Sequence, residues 1–294
     1  MAISLLLALL VSPVFAYEDF VEKPSRDVAC WGLDENGRTY GIRQIDNRQE
    51  VVAKPFGWEI AKGNASDHFP LRKFGRNSDI NASQETIWEE GGLYVYLSSA
   101  QVLVVSSSDA DDTSAGAGAQ IVEVYGLDES SDSVMNTITM AGQSAVLTTS
   151  TYSRVFRMKV IRVGASAENE GIVYAGIGAL TTGKPATVQA SITATHNQTL
   201  MAMWTVPTGK TLFISEIIFS ISTNKETEFS IWVREPGADK PFQVKLTLEM
   251  FQDVGSIMLP IPMKVPSESD IEIRAHASAG AAAIVSATFN GWYE

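Results

Sequence analysis

From about Asp67 onward, apolar and polar residues alternate in short runs separated by turn residues. The clearest early run is Arg154–Val163. Phe156, Met158 and Val160 fall on one face and Arg157 and Lys159 on the other, the period of two that a half-buried strand requires. Runs of the same kind predict strands over 86–88, 93–96, 102–106, 119–125, 133–140, 145–149 and 171–177. Glu90-Gly91-Gly92, Gly126-Leu127-Asp128 and Asn169-Glu170-Gly171 supply turns between them. Residues 181–185 (TTGKP) read as a linker. Beyond it the alternation sharpens over 186–194, 200–206, 211–222, 228–234, 242–249, 256–261, 270–276 and 282–290. Phe229, Ile231 and Val233 oppose Glu228, Ser230 and Arg234. Phe242, Val244, Leu246 and Leu248 oppose Gln243, Lys245, Thr247 and Glu249. Ile271 and Ile273 oppose Asp270, Glu272 and Arg274.

Short strands at even spacing predict an all-β chain with two consecutive antiparallel β-sandwiches, jelly-roll-like, over 67–180 and 181–294. An extended arm over 1–66 precedes them. Within it, strands over 27–31 and 38–45 flank the turn Asp34-Glu35-Asn36-Gly37. Helix signal is nearly absent, and residues 73–84 are polar with no apolar stripe.

Two segments stand outside this pattern. Residues 106–128 (SSSDADDTSAGAGAQIVEVYGLD) join two strands through a long Ser/Asp/Ala/Gly loop. Residues 2–16 (AISLLLALLVSPVFA) form an apolar run ending in Val14-Phe15-Ala16. Two readings fit that run: a secretory signal cleaved after Ala16, though without a basic start, or an apolar arm that docks on a neighbouring subunit. It is short for a membrane span.

Composition narrows the function classes. Of the 294 residues 45% are hydrophobic, enough for packed cores, and the net charge of −12 argues against a direct nucleic-acid partner. The densest positive group is Leu71-Arg72-Lys73 with Arg76. Cys30 is the single cysteine, so no intrachain disulfide forms. His68, His196 and His276 lie far apart and read as ordinary surface or edge histidines, and no Cys/His set has metal-ligand spacing. Asn64, Asn81 and Asn197 begin glycosylation sequons, a chance-level signal in a Ser/Thr-rich chain.

Candidate interaction residues are few. Asp109, Asp111 and Asp112 are close enough to suggest Ca²⁺, but their spacing is not that of an EF-hand and a solvated loop accounts for them. Gly116-Ala117-Gly118 has neither the helix nor the Lys-Ser/Thr pair of a phosphate loop. Trp204, Trp232 and Trp292 suit either stacking on sugar rings or packing against a partner subunit; Trp232 falls on the polar face of its strand. No nucleophile elbow, zinc-protease motif or carboxylate pair in an aromatic cleft is recognisable, so neither enzyme activity nor a cofactor is expected.

Several motifs occur together in order. They are Lys73-Phe74-Gly75-Arg76-Asn77-Ser78-Asp79-Ile80, Thr86-Ile87-Trp88, Glu90-Gly91-Gly92, the 106–128 loop, Arg154-Val155-Phe156-Arg157 and Asn169-Glu170-Gly171-Ile172. The turn Trp204-Thr205-Val206-Pro207-Thr208-Gly209-Lys210-Thr211 and the run Val265-Pro266-Ser267-Glu268-Ser269-Asp270-Ile271 follow. From about residue 71 to 293 the chain resembles virion-associated structural proteins of tailed bacteriophages, many of them marine. The resemblance carries no catalytic residues. It implies a β-sandwich module on a virus particle: a capsid decoration (cement) protein or a minor head or tail component. Its partners would be copies of itself, a trimer by analogy, and other virion proteins such as the major capsid protein, with no membrane in the mature particle. The competing expectation is an exported carbohydrate-binding or adhesin-like protein, cleaved after Ala16.

Overall fold

The computed structural model describes residues 55–294 except 223–224, 238, 252 and 279–281, together with three strands before residue 55. Those three, β1 (Cys30–Leu33), β2 (Thr39–Ile45) and β3 (Arg48–Glu50), form an antiparallel sheet in the order β1-β2-β3. Leu33 pairs with Thr39, so β1 and β2 flank the predicted turn. The apolar run 2–16 lies outside the described residues.

Pro55–Glu294 is one compact unit. A short helix α1 (Phe56–Ala61) leads into β4 (Phe69–Ile80) and β5 (Glu85–Thr86). Then come β6 (Gln101–Ser107), β7 (Ala119–Leu127), β8 (Ser133–Thr139), β9 (Val146–Tyr152), β10 (Arg154–Val163), β11 (Val173–Thr181) and β12 (Lys184–Ile192). The last seven are β13 (Met203–Thr205), β14 (Leu212–Ile221), β15 (Glu226–Arg234), β16 (Gln243–Phe251), β17 (Val254–Val265), β18 (Asp270–Ala277) and β19 (Ala283–Tyr293).

The sheets do not divide where the linear pattern suggested. One sandwich faces β17-β14-β19-β4 against β13-β18-β15-β16, with β5 added beside β18. Counting its eight main strands in chain order from β4 gives 1-8-3-6 and 2-7-4-5, the two Greek keys of a jelly roll. Its first strand is β4 and its second is β13. Between them, after β5, the strands β6 to β12 form an inserted sandwich, with sheets β10-β7-β8 and β12-β11-β6-β9. So β4, expected to open a first domain, closes the second by pairing with β19, Phe69 opposite Tyr293. Residues 181–185, expected to be a linker, are the turn of the β11–β12 hairpin, where Thr181 pairs with Lys184. Strand pairing is set by long-range contacts, which composition along the chain does not report. The predicted strand over 93–96 is irregular, although Tyr94 is buried.

Each sandwich has its own core. The jelly roll buries Leu212, Ile214, Ile217 and Phe219 of β14 against Phe229, Ile231 and Val233 of β15, with Ile271, Ile273 and Phe289. The Phe219 and Phe229 ring centroids are 4.8 Å apart, and truncating either to Ala costs about 3–5 kcal/mol. The insertion buries Leu103, Val105, Val122, Val124, Tyr152, Met158 and Ile192. The chain crosses between the sandwiches over Gly75. A Cβ there would lie 2.3 Å from both Ile87 O and Ala202 N, atoms that bond each other at 2.9 Å. Only glycine lets β4 lie beneath that crossing.

Candidate functional site

The face of β18 that reads as solvent-facing is buried between the sandwiches. Asp270 and Glu272 are both covered. Asp270 accepts from Arg154 of the insertion at 2.7 Å, from Arg234 at 2.5 Å and from the Thr205 hydroxyl at 2.7 Å. Glu272 pairs with Arg274 and accepts from the Thr86 hydroxyl at 2.8 Å. Burial raises the Glu272 carboxyl above the usual range, and Arg274 only partly offsets this. The guanidiniums also lie over aromatic faces. Arg154 and Arg234 flank Tyr96 at 5.1 and 4.5 Å, and Arg274 sits 4.6 Å from the Trp232 ring and 4.7 Å from Phe242. Of these, the Arg154–Asp270 pair and the Tyr96–Arg234 contact fasten the two sandwiches together. The sequence signal for them was faint: three charges alternating on one strand, with their partners scattered along the chain from Thr86 to Phe242.

The six candidate interaction residues are not brought together. Trp204 belongs to the jelly-roll core, its ring 5.1 Å from Tyr293, which corrects the expectation of a surface aromatic. Trp232 donates its indole N–H to Ser230 Oγ at 2.8 Å beneath Arg274. Trp292 stacks on Phe213 with centroids 5.6 Å apart, and Phe56 of α1 meets it edge-on at 5.5 Å. Asp112 is fully buried and accepts from Ser107 Oγ, Ala119 N, Glu170 N and Gly171 N at 2.5–3.0 Å. It ties the long loop to the β10–β11 connection, where expectation had a solvated carboxylate. Asp109 caps the backbone of Asp111 at 2.8 Å, and Asp111 is exposed. Among the described residues no group of three or more His, Cys, Asp or Glu is arranged to hold a metal. Each histidine stands beside its own carboxylate: His68 by Glu294, His196 by Glu89, His276 by Glu228.

Two surface features remain. The first is the open edge of the jelly roll, where β16 ends one sheet and β17 ends the other. Phe251, Val254, Met258 and Ile261 stand 60%, 66%, 67% and 86% exposed along it. Leu259–Pro262 bulges out of the ladder opposite Ser215. Pro260 and Pro262 supply no N–H there, so the edge is blocked against extension by another strand while Ile261 projects. The second is a groove of about 370 Å³ where β4 and β19 meet β7, β8 and β10. Arg72, Lys73, Arg157 and Lys159 line it beside Met135, Phe156 and Tyr293, and no carboxylate does. Lys73 is buried with its ammonium donating to Phe156 O, and its pKa is pushed well down by desolvation and by Arg157.

No protein-family model matches the chain, and no curated protein does. Among solved structures, the infectious bursal disease virus Gx strain is similar at 12% identity and TM-score 0.23, covering 77% of this chain and 71% of that one. The STIV MCP crystal structure is similar at 9% and 0.22, covering 76% and 96%. The Gt strain of infectious bursal disease virus follows at 11% and 0.20, covering 82% and 76%. Likenesses this distant carry no argument about function.

Proposed function

We propose that this chain is a non-enzymatic structural protein of a virus particle, of the tailed-bacteriophage kind its sequence resembles. It serves as a capsid decoration or minor head or tail component and works as a homo-oligomer, with its own copies and the major capsid protein as partners. The observation that carries this reading is the β16–β17 edge. Four large apolar side chains, Phe251, Val254, Met258 and Ile261, face water on two edge strands whose inward residues are themselves only half-buried. Such an edge is a surface awaiting cover. Covering those four side chains is worth roughly 4–8 kcal/mol, at ~1.5–3 kcal/mol per large apolar side chain scaled by exposure. Association costs ~4–15 kcal/mol. One edge therefore does not hold a copy in place, and repeated contacts on an array do. The jelly roll gives the edge a packed base, and Arg154 of the insertion is tied to it through Asp270.

Quantitative mass spectrometry of purified particles tests the proposal. The expected result is this chain at a fixed copy number relative to the major capsid protein, retained through density-gradient purification. A chain found in the culture medium beginning at Tyr17, and absent from particles, overturns it.

A further inference from the structure

The basic groove is anomalous on a chain of net charge −12. Among the described residues neither Arg72 nor Arg157 pairs with a carboxylate, and Lys159 reaches Glu123 only at 3.9 Å. The cationic surface continues along the outer face of β4, where Arg157 lies 5.9 Å from the Phe74 ring and Arg76 follows. The floor beside the cations is apolar: Met135, 47% exposed, with Phe156 and Tyr293.

The β16–β17 tip has the opposite character. Glu228 and Glu249 stand directly opposite each other in the ladder, and Glu226 faces Phe251. Like charges opposed across a strand pair are destabilising in isolation. Asp253 adds a fourth carboxylate at the turn, against the single Lys225, and Phe251 and Val254 are the apolar residues beside them. One surface is basic with an apolar floor, the other acidic with an apolar point.

We infer that the groove receives the acidic β16–β17 tip of a second copy of this chain. The inference rests on the homo-oligomeric reading above and deepens it by naming both surfaces. Carboxylates arriving from the second copy supply partners that Arg72 and Arg157 lack among the described residues. Burial already lowers the Arg157 pKa, so an incoming carboxylate restores what desolvation costs that guanidinium. Phe251 enters against Met135 and Phe156. Because β4 beside the groove and β17 at the tip lie at opposite ends of one sheet, the contact runs head-to-tail, and it closes into a ring, a trimer among them, or continues as a filament according to the rotation between copies. Like-charged copies repel in other orientations, so the charge pattern selects this one.

The test is a charge exchange on the full chain, read by sedimentation velocity at low and high salt. Wild type is expected to self-associate, more weakly as salt rises. Arg157→Glu and Glu249→Arg are each expected to weaken association at least tenfold while melting like wild type. An equimolar mixture of the two variants is expected to associate again. There a native tip meets a native groove, and a reversed tip meets a reversed groove. Three results overturn the inference: a wild type that stays monomeric up to about 1 mM, the effective concentration that tethering on a particle supplies; single variants that associate like wild type; or a mixture that stays monomeric. Particle association is measured separately. Variants that remain monomeric in the mixture yet still co-purify with particles sink the groove–tip contact alone. Self-associating protein absent from particles sinks the virion reading alone.

Discussion

Asp270→Asn keeps the shape of the side chain and removes the negative charge that Arg154 and Arg234 share. The Asp270 side chain is 3% exposed, Arg154 22% and Arg234 26%. Breaking a buried pair from one side costs about 3–5 kcal/mol, because the partner's charge is left uncompensated. Both guanidiniums keep some water, and Arg154 keeps its bonds to Leu97 O and Ser153 O, so the low end applies, about 3 kcal/mol. For a unit of this size that is a fall in Tm of ~6–12 °C. Calorimetry of the full chain is the assay. Adding Arg234→Met to the Asp270→Asn variant is expected to recover part of the loss, since it removes a guanidinium with no carboxylate left to face. A drop of less than about 2 °C would mean that the network is water-filled and that apolar contact alone fastens the sandwiches.

Lys73→Met removes a buried ammonium but leaves Phe156 O without its donor, so its net gain in stability near neutral pH is expected to be small, about 1 kcal/mol or less. The sign with pH follows from the lowered Lys73 pKa. Between that value and the ordinary lysine value the unfolded chain holds the extra proton, so wild-type stability rises with pH across the window and the advantage of the variant shrinks. Urea denaturation of both proteins at several pH values reads this, and an advantage that grows with pH would sink it. Asp112→Ala removes an acceptor from four donors, three of them buried, and is expected to cost ~2–4 kcal/mol. Hydrogen exchange at Ala119, Glu170 and Gly171 should accelerate first, and unchanged protection there would show that the loop is held by other means.

Much of this fold was legible in the residues. Period-two alternation placed Arg154–Val163 at its observed bounds and most of the other strands within a few residues, because a half-buried strand must alternate wherever it finally pairs. The inward face of β15, Phe229, Ile231 and Val233, was equally plain. β4 was not. Its core-facing positions are Lys73, Gly75 and Asn77, opposite Phe289, Ala287 and Val285, and none advertises burial. Lysine is there because Phe156 O accepts from its ammonium, glycine because the chain crosses above it, and asparagine because Glu85 and Thr86 O accept from its amide. The candidate site divided in the same way. The cluster Arg72, Lys73 and Arg76 was visible as charge, but Arg157 and Lys159 join it only because β10 folds against β4. Trp204 looked like a surface aromatic and is core, while Asp270 looked solvated and is the centre of the junction.

By itself the sequence determined the local terms: an all-β chain, the places where strands begin and turn, the face of most strands that seeks the core, and an acidic surface. Those follow from side-chain chemistry over a few residues. Tertiary structure decided which strands pair, and so made a jelly roll interrupted after its first strand instead of two sandwiches in series. It also decided which charges are buried, which apolar residues are left at an open edge, and which cations gather into one groove. Each of these depends on contacts between residues far apart in the chain, 83 positions for Lys73 and Phe156 and 116 for Arg154 and Asp270, for which neither periodicity nor composition has a term.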